Sequence, residues 1–183
     1  MIFRETGLEG SYIVQLERIE DKRGFFARNW CKREAEKYGL NGNMVQANIS
    51  YSRNKGTLRG LHYQISPFQE AKLFRCVVGG ILDIVVDLRP DSTKYCQWIG
   101  VELTQDNDCM LYVPEGCANG FQTLANHSIV NYFSSQFYTP EAERGVRYND
   151  PAFGIKWPET ERLIISDKDK SWPDYFSSFS SDA

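Results

Sequence analysis

Apolar and polar residues alternate in short runs along most of this 183-residue chain, and clusters of Gly, Pro, Asn, Asp or Ser separate the runs. Successive strand residues face opposite ways, so such runs predict strands. They fall at 12–16, 45–50, 57–64, 72–78, 81–88, 97–103, 109–113, 120–123, 129–135 and 145–148. One helix reads clearly at 31–38, rich in Lys, Glu and Ala and followed by Gly39, a good helix stop. From Glu159 onward the pattern predicts a short helix, an apolar strand around 163–165 and an irregular polar tail. No repeat, low-complexity tract or linker divides the chain, so a single domain over 1–183 is expected. Many short strands at this spacing predict an all-β barrel or sandwich.

The run at 45–50 leaves two arrangements open. Val45, Ala47 and Ile49 share one face, and Gln46, Asn48 and Ser50 share the other. The polar face either meets water or, in a barrel, lines an internal ligand cavity.

Composition narrows the class. Hydrophobic residues make up 42% and charged residues 25%, as in an ordinary globule with a full core. A net charge of −3 gives no basic footprint for nucleic acid, although a few arginines in a cleft still attract an anion. The cysteine count of 5 is odd and contains no C-x-x-C, so neither a zinc site nor a disulfide framework is expected. Reduced thiols in a cytoplasmic protein are the simplest reading. The N-terminus lacks the apolar block of a signal peptide. The most apolar stretch, 81–88, is interrupted by Asp83 and Asp87, so no membrane span is expected.

Candidate chemistry centres on His62, because His127 lies in a turn-like Asn-His-Ser. Arg59, Gln64 and Lys72 crowd the same stretch. Strict alternation puts Arg59 and His62 on opposite faces, and a bulge at Gly60 would bring them together. Metal-dependent barrels supply two or three histidines and a carboxylate to one ion, and this chain does not fit that donor set. Acid–base work therefore falls to His62, carboxylates, Tyr or Lys, with no metal or cofactor. Arg23 and Arg59 are either ordinary surface charge or, paired in one cleft, a diphosphate clamp. No Gly-x-Gly-x-x-Gly or P-loop is present. Tyr132 reads as a core aromatic, as most strand tyrosines are. The spacing Ser166-x-x-Asp169 reads as a capping box, which on spacing alone makes Asp169 a helix cap.

The stretches DKRGFF (21–26), VQANIS (45–50), KGTLRGLHYQ (55–64), KLFRCVVGGILDIVVDLRPDS (72–92), LYVPEGCANGFQTL (111–124), GVRYNDPAFGIKWP (145–158) and ISDKD (165–169) follow in an order that resembles the dTDP-4-dehydrorhamnose 3,5-epimerase family. The resemblance implies a cupin-like β-barrel (jelly roll) with a few short helices, a homodimer, and no metal or cofactor. The implied reaction inverts C3 and/or C5 of a nucleotide-diphosphate 4-keto-6-deoxy sugar. His62 then resembles the family's base and Asp169 its dyad partner, in place of the cap. Tyr132 resembles the general acid on the other side of the sugar, and Lys72 the group that stabilises the enolate. Arg23 and Arg59 resemble diphosphate ligands. Phe25, Gln46, Asn48 and Tyr138 resemble parts of the substrate pocket.

The chemistry suits these types. The C4 ketone acidifies its neighbouring carbons, histidine has a pKa suited to a base near neutrality, and an aspartate behind it fixes the tautomer. Two departures stand out. Asn119 replaces the family's usual histidine; its amide retains hydrogen-bond donors but cannot become a cation. Arg28 stands where the family often has Glu near the nucleotide base, which leaves thymidine, cytidine and guanosine diphosphates open. Double inversion is the family's default. Single inversion, a non-catalytic sugar-nucleotide-binding barrel and an isomerase that moves the ketone are the alternatives.

Overall fold

A computed structural model describes residues 1–159 and 161–176. Its strands are β1 (Ile2–Glu5), β2 (Tyr12–Gln15), β3 (Ile19–Asp21), β4 (Gly24–Phe26), β5 (Gln46–Ser52), β6 (Leu58–Gln64), β7 (Lys72–Val78), β8 (Gly80–Asp87), β9 (Trp98–Thr104), β10 (Cys109–Val113), β11 (Cys117–Thr123), β12 (Ser128–Ser134) and β13 (Glu143–Gly145). One sheet runs β1-β2-β10-β7-β12-β5 and a second β13-β6-β11-β8-β9, while β3 and β4 form a separate hairpin. The helices are short: α1 (Lys32–Glu36), a 3-10 turn at Pro140–Ala142 and α2 (Asp167–Lys170). The fold is the all-β, cupin-like jelly roll expected from the sequence.

Alternation explains the layers. On β7, Phe74 and Cys76 join Ile81 and Val85 of β8, Leu111 and Val113 of β10, Phe121 of β11 and Val130 of β12 in a core between the sheets. Each fully buried aliphatic side chain in such a core contributes about 1.5–3 kcal/mol. The other face of the first sheet, with Val14, Leu73 and Met110, is covered by Ala35 of α1 and by Leu40. The outer face of the second sheet, with Leu61, Ile84, Val86 and Ala118, is covered by Val146, Phe153 and Tyr175.

At β5 the structure takes the cavity arrangement. Gln46, Asn48 and Ser50 are half-buried, and Ala47, Ile49 and Tyr51 are exposed, Ile49 by 72%. The apolar face points outward and the polar face inward.

Several elements depart from the expected pattern. β3 and β4 bury no residue, and β1 buries only Phe3, so none carries an alternation that burial could impose. The strand expected at 145–148 lies at Glu143–Gly145, on the sheet's edge, with Val146 exchanging two further backbone hydrogen bonds with Leu61. No helix forms among the described residues between 159 and 163; it lies instead at Asp167–Lys170, where Ser166 supplies a side-chain cap. The apolar 163–165 segment makes a single parallel bridge, Ile164 to Thr57. The end of the polar tail, 177–183, lies outside the described residues. No described helix is long and apolar enough to cross a membrane.

Candidate active site

The site begins with an irregularity in β6. Asn119 of β11 pairs with His62 and Phe121 pairs with Arg59, so Gly120 alone faces both Gly60 and Leu61. This bulge gives back the residue that alternation would have cost, and Arg59 and His62 line the same cavity. Gly60 sits at φ +110°, and a Cβ there would fall 2.6 Å from Gly120 Cα. Only glycine fits a backbone of that hand at so close an approach.

The bulge also aims a backbone donor. Gly60 N–H donates to Asp169 Oδ2 at 3.3 Å, and Asp169 Oδ1 lies 2.6 Å from His62 Nε2. Asp169 is 5% exposed. Burial alone would raise its pKa, but the His62 hydrogen bond and charge, the Gly60 N–H and Ser166 together hold it below the ordinary carboxylate value. An ionised Asp169 is an acceptor only, so Nε2 carries the proton and Nδ1 keeps its lone pair. The capping expectation holds for the main chain, since Ser166 Oγ accepts from Asp169 N–H at 3.1 Å. The Asp169 carboxylate itself is turned to His62.

Across the cavity, on the facing sheet, stand Lys72 and Tyr132. Lys72 is 9% exposed and pairs with Glu70 at 2.8 Å. The Tyr132 ring stacks on Phe74, centroids 4.9 Å apart. Burial raises the Tyr132 pKa, with Glu70 adding to the effect, so the phenol stays protonated. Its hydroxyl has no hydrogen-bond partner among the described residues.

The hollow has two lobes, and His62, Lys72 and Tyr132 line both. One lobe, of about 650 Å³, also holds Arg59, Asn119, Lys168 and Asp169. The other, of about 290 Å³, holds Gln46, Asn48, Glu70, Tyr138 and Glu143. This is the size range of small-molecule sites. Arg59 is steadied at the rim by Ser52 Oγ and Tyr51 O, at 3.3 and 3.0 Å.

Of the expected site residues, His62, Asp169, Tyr132, Lys72, Asn119, Arg59, Gln46, Asn48 and Tyr138 surround this hollow. Arg23, Phe25 and Arg28 lie outside the hollow of their own chain. Arg23, on the β3–β4 hairpin, is paired with Asp21 at 2.5 Å, and its side chain is 83% exposed. Phe25 lies under Arg18, 4.1 Å from ring centroid to guanidinium carbon. Arg28 donates to Glu34 at 2.6 Å, so its charge is countered locally.

Four lining or supporting residues escaped the sequence reading. Glu70 and Glu143 sit outside any motif. Lys168 is adjacent to Asp169, and its ammonium lies 2.5 Å from Glu143 Oε2, which Tyr138 OH also contacts at 2.8 Å. Asp83 did leave a signal, as a charge breaking the apolar run of β8.

Asn119 keeps the donors expected of its amide and gives them to the protein itself. Its Nδ2 donates to Asp83 Oδ1 at 2.7 Å and to the Ile84 carbonyl at 3.0 Å, so both amide protons point away from the hollow. Asp83 is fully buried, and burial pushes its pKa up to about 8, the Asn119 hydrogen bond and Lys72 opposing. Among the described residues no group of three or more His, Cys, Asp or Glu could hold a metal ion.

Comparison with known proteins supplies an independent view. Residues 5–176 match the family model described as dTDP-4-dehydrorhamnose 3,5-epimerase. A dTDP-4-dehydrorhamnose 3,5-epimerase of Sinorhizobium fredii is 37% identical over 177 residues, covering 94% of this chain and 89% of that one. The solved dTDP-4-dehydrorhamnose 3,5-epimerase of Elizabethkingia anophelis superposes with a TM-score of 0.93 at 37% identity, covering 97% of each chain. That of Bacillus anthracis, solved with TDP and PPi bound, gives 0.90 at 40% identity, covering 94% of this chain and 98% of that one.

Proposed function

The chain belongs to the dTDP-4-dehydrorhamnose 3,5-epimerase family, and from that premise we propose that its hollow binds a dTDP-linked 4-keto-6-deoxyhexose and inverts both C3 and C5. It is an isomerase that acts on a nucleotide sugar. The observation that carries the assignment of roles is the placement of the His62–Asp169 pair on one sheet and Tyr132 with Lys72 on the other, facing across a single hollow.

The steps follow from that placement. His62 Nδ1 takes the proton from a carbon next to the C4 ketone. The C–H electron pair moves into the ring as an enolate, and Asp169 stabilises the imidazolium. The Lys72 ammonium stabilises the charge on the C4 oxygen; one such donor is worth about 3–4 kcal/mol of barrier. Tyr132 O–H then delivers a proton to the same carbon from the opposite side, and the ketone reforms with the carbon inverted. Solvent exchange returns a proton to Tyr132 and removes one from His62.

Arg59 at the rim suits the diphosphate, whose planar recognition favours a guanidinium. The TDP-bound relative supports thymidine as the nucleoside, and the Arg28–Glu34 pair removes the unbalanced charge that would disfavour it.

A homodimer belongs to the same reading. The outward face of β5 leaves Ile49 72% exposed beside Tyr51, a costly surface for a chain alone in water. Under this reading Arg23 and Phe25, which do not line the hollow of their own chain, serve the hollow of the second copy.

The test is proton exchange. In deuterated water the wild-type enzyme is expected to place deuterium at both C3 and C5 of the 4-keto sugar, and His62→Ala at neither. Labelling of one carbon would replace double by single inversion, and wild-type exchange by His62→Ala would remove His62 as the base.

A further inference from the structure

We propose that Asn119 selects its substrate as a hydrogen-bond acceptor: its carboxamide oxygen, turned to the hollow, takes the proton of a sugar-ring hydroxyl at C2 or C3. The inference rests on the substrate class argued above and deepens it.

A carboxamide has two N–H protons and one oxygen. Both protons of Asn119 are engaged, one by Asp83 Oδ1 and one by the Ile84 carbonyl. The carbonyl can only accept, so turning the amide over would set oxygen against oxygen. Asn119 therefore cannot offer an N–H to the ligand without leaving a buried acceptor unpaired, which costs about 1–3 kcal/mol. The Ile84 carbonyl, which has no proton to give, holds this orientation, and Asp83 supports it as the second acceptor. Asp83 lies inward on β8 between Ile81 and Val85, it is fully buried, and its Oδ2 has no other donor among the described residues.

The remaining atom faces the ligand. Asn119 lines the larger lobe together with His62, Lys72 and Tyr132. Its oxygen receives no donor among the described residues, yet it is not among the buried polar atoms left without a partner, so it opens on the hollow. A bare acceptor in that position repels a developing oxyanion and attracts a hydroxyl. A 4-keto-6-deoxyhexose joined to its diphosphate through C1 keeps hydroxyls only on C2 and C3. The C4 oxygen is thus left to the Lys72 ammonium, and Asn119 reads the neighbouring hydroxyl.

The test is a cycle between protein and ligand. Binding of dTDP-6-deoxyglucose and its 2-deoxy and 3-deoxy analogues is measured by calorimetry on the wild type and on Asn119→Leu. A neutral hydrogen bond is worth about 0.5–1.5 kcal/mol, so one deoxy analogue is expected to bind the wild type about 3- to 10-fold more weakly than the parent. The same pair should bind Asn119→Leu equally. Equal losses in both proteins for both analogues would overturn the proposal.

A measurement on the wild type alone covers the case in which Asn119→Leu does not fold. The Asn119 side-chain NH2 signals should stay protected from solvent exchange in the free and the bound protein, while a shift of one N–H onto the ligand would refute the acceptor role. Absence of any deuterium uptake by the wild type would instead strike at the epimerase assignment itself.

Discussion

Replacing Asp169 by asparagine exchanges one oxygen for an NH2 group, and the structure predicts which way the new amide turns. Two donors converge on this side chain, Gly60 N–H and His62 Nε2–H. Asparagine has a single oxygen to offer. Gly60 is a main-chain donor with no alternative protonation, whereas imidazole can move its proton to the other nitrogen. The oxygen therefore goes to Gly60, and the NH2 donates to His62 Nε2. That locks the proton on Nδ1, the atom that must be bare to act as base. The reverse orientation sets NH2 against a buried N–H and costs about 1–3 kcal/mol, so the competent tautomer falls to roughly a tenth of the population or less. A hydrogen bond to a charged group, worth about 1.5–3 kcal/mol, is lost behind the imidazolium as well.

Together these losses lower kcat/KM about 10²- to 10⁴-fold, each factor of ten being about 1.4 kcal/mol. Asp169 acts through His62, to which its carboxylate is bound, so the loss belongs in kcat rather than KM. Deuterium uptake by the 4-keto sugar, followed by proton NMR, reads the step directly. Asp169→Ala has no amide to hold the wrong tautomer, so it should be damaged less than Asp169→Asn. Asp169→Asn within tenfold of the wild type, or Asp169→Ala worse than Asp169→Asn, would refute the tautomer argument.

Three further outcomes follow from the same geometry. Tyr132→Phe removes the proposed proton donor on the facing sheet but leaves His62 intact, so the sugar should still wash in deuterium while inversion, read from the NMR coupling pattern, nearly stops; loss of both together would deny Tyr132 a separate role. Asp83 has a folded pKa raised from 3.8 to about 8, so its contribution to stability is present below the unfolded value and is lost as pH rises through the folded one. Wild-type melting temperature should therefore fall more steeply than that of Asp83→Asn between about pH 5 and about pH 8, and parallel curves would show that Asp83 does not titrate there. Ile49→Glu places a charge at the centre of the outward face of β5 and should yield a monomer by light scattering, with unchanged circular dichroism; a dimer of undiminished affinity would place the interface elsewhere.

How much of this was legible depended on whether burial had shaped the local sequence. β7 and β10 fall within the expected bounds, because each is a mostly apolar run that packs its two faces against different layers. The β3–β4 hairpin was invisible for the converse reason, since no residue in it is buried. β5 was legible as a strand but not in its direction. Its apolar face points outward, the opposite of what a lone sheet in water requires, and the two faces cannot be told apart from a period of two alone.

The site was legible where a local constraint accompanies the chemistry. A strand carrying both Arg59 and His62 into one hollow needed a bulge, and Gly60 was the residue able to supply it. Asp169 shows the limit. Ser166 does cap its N–H, so the spacing was read correctly, yet the carboxylate is committed to a partner 107 residues away. Nothing in Ser-Asp-Lys-Asp encodes that distance; only the family resemblance pointed to it.

Asn119 shows the same limit in a different form. Its amide chemistry permits donation or acceptance, and the choice is made by Asp83 and the Ile84 carbonyl on the adjacent strand β8. A side chain's chemical type can thus be read from its letter, but the direction in which it works is set by which neighbours have already taken its protons. Replacing Asp83 would remove one of the two acceptors beneath Asn119, but the Ile84 carbonyl would still oppose turning the amide over, so its oxygen should keep facing the hollow.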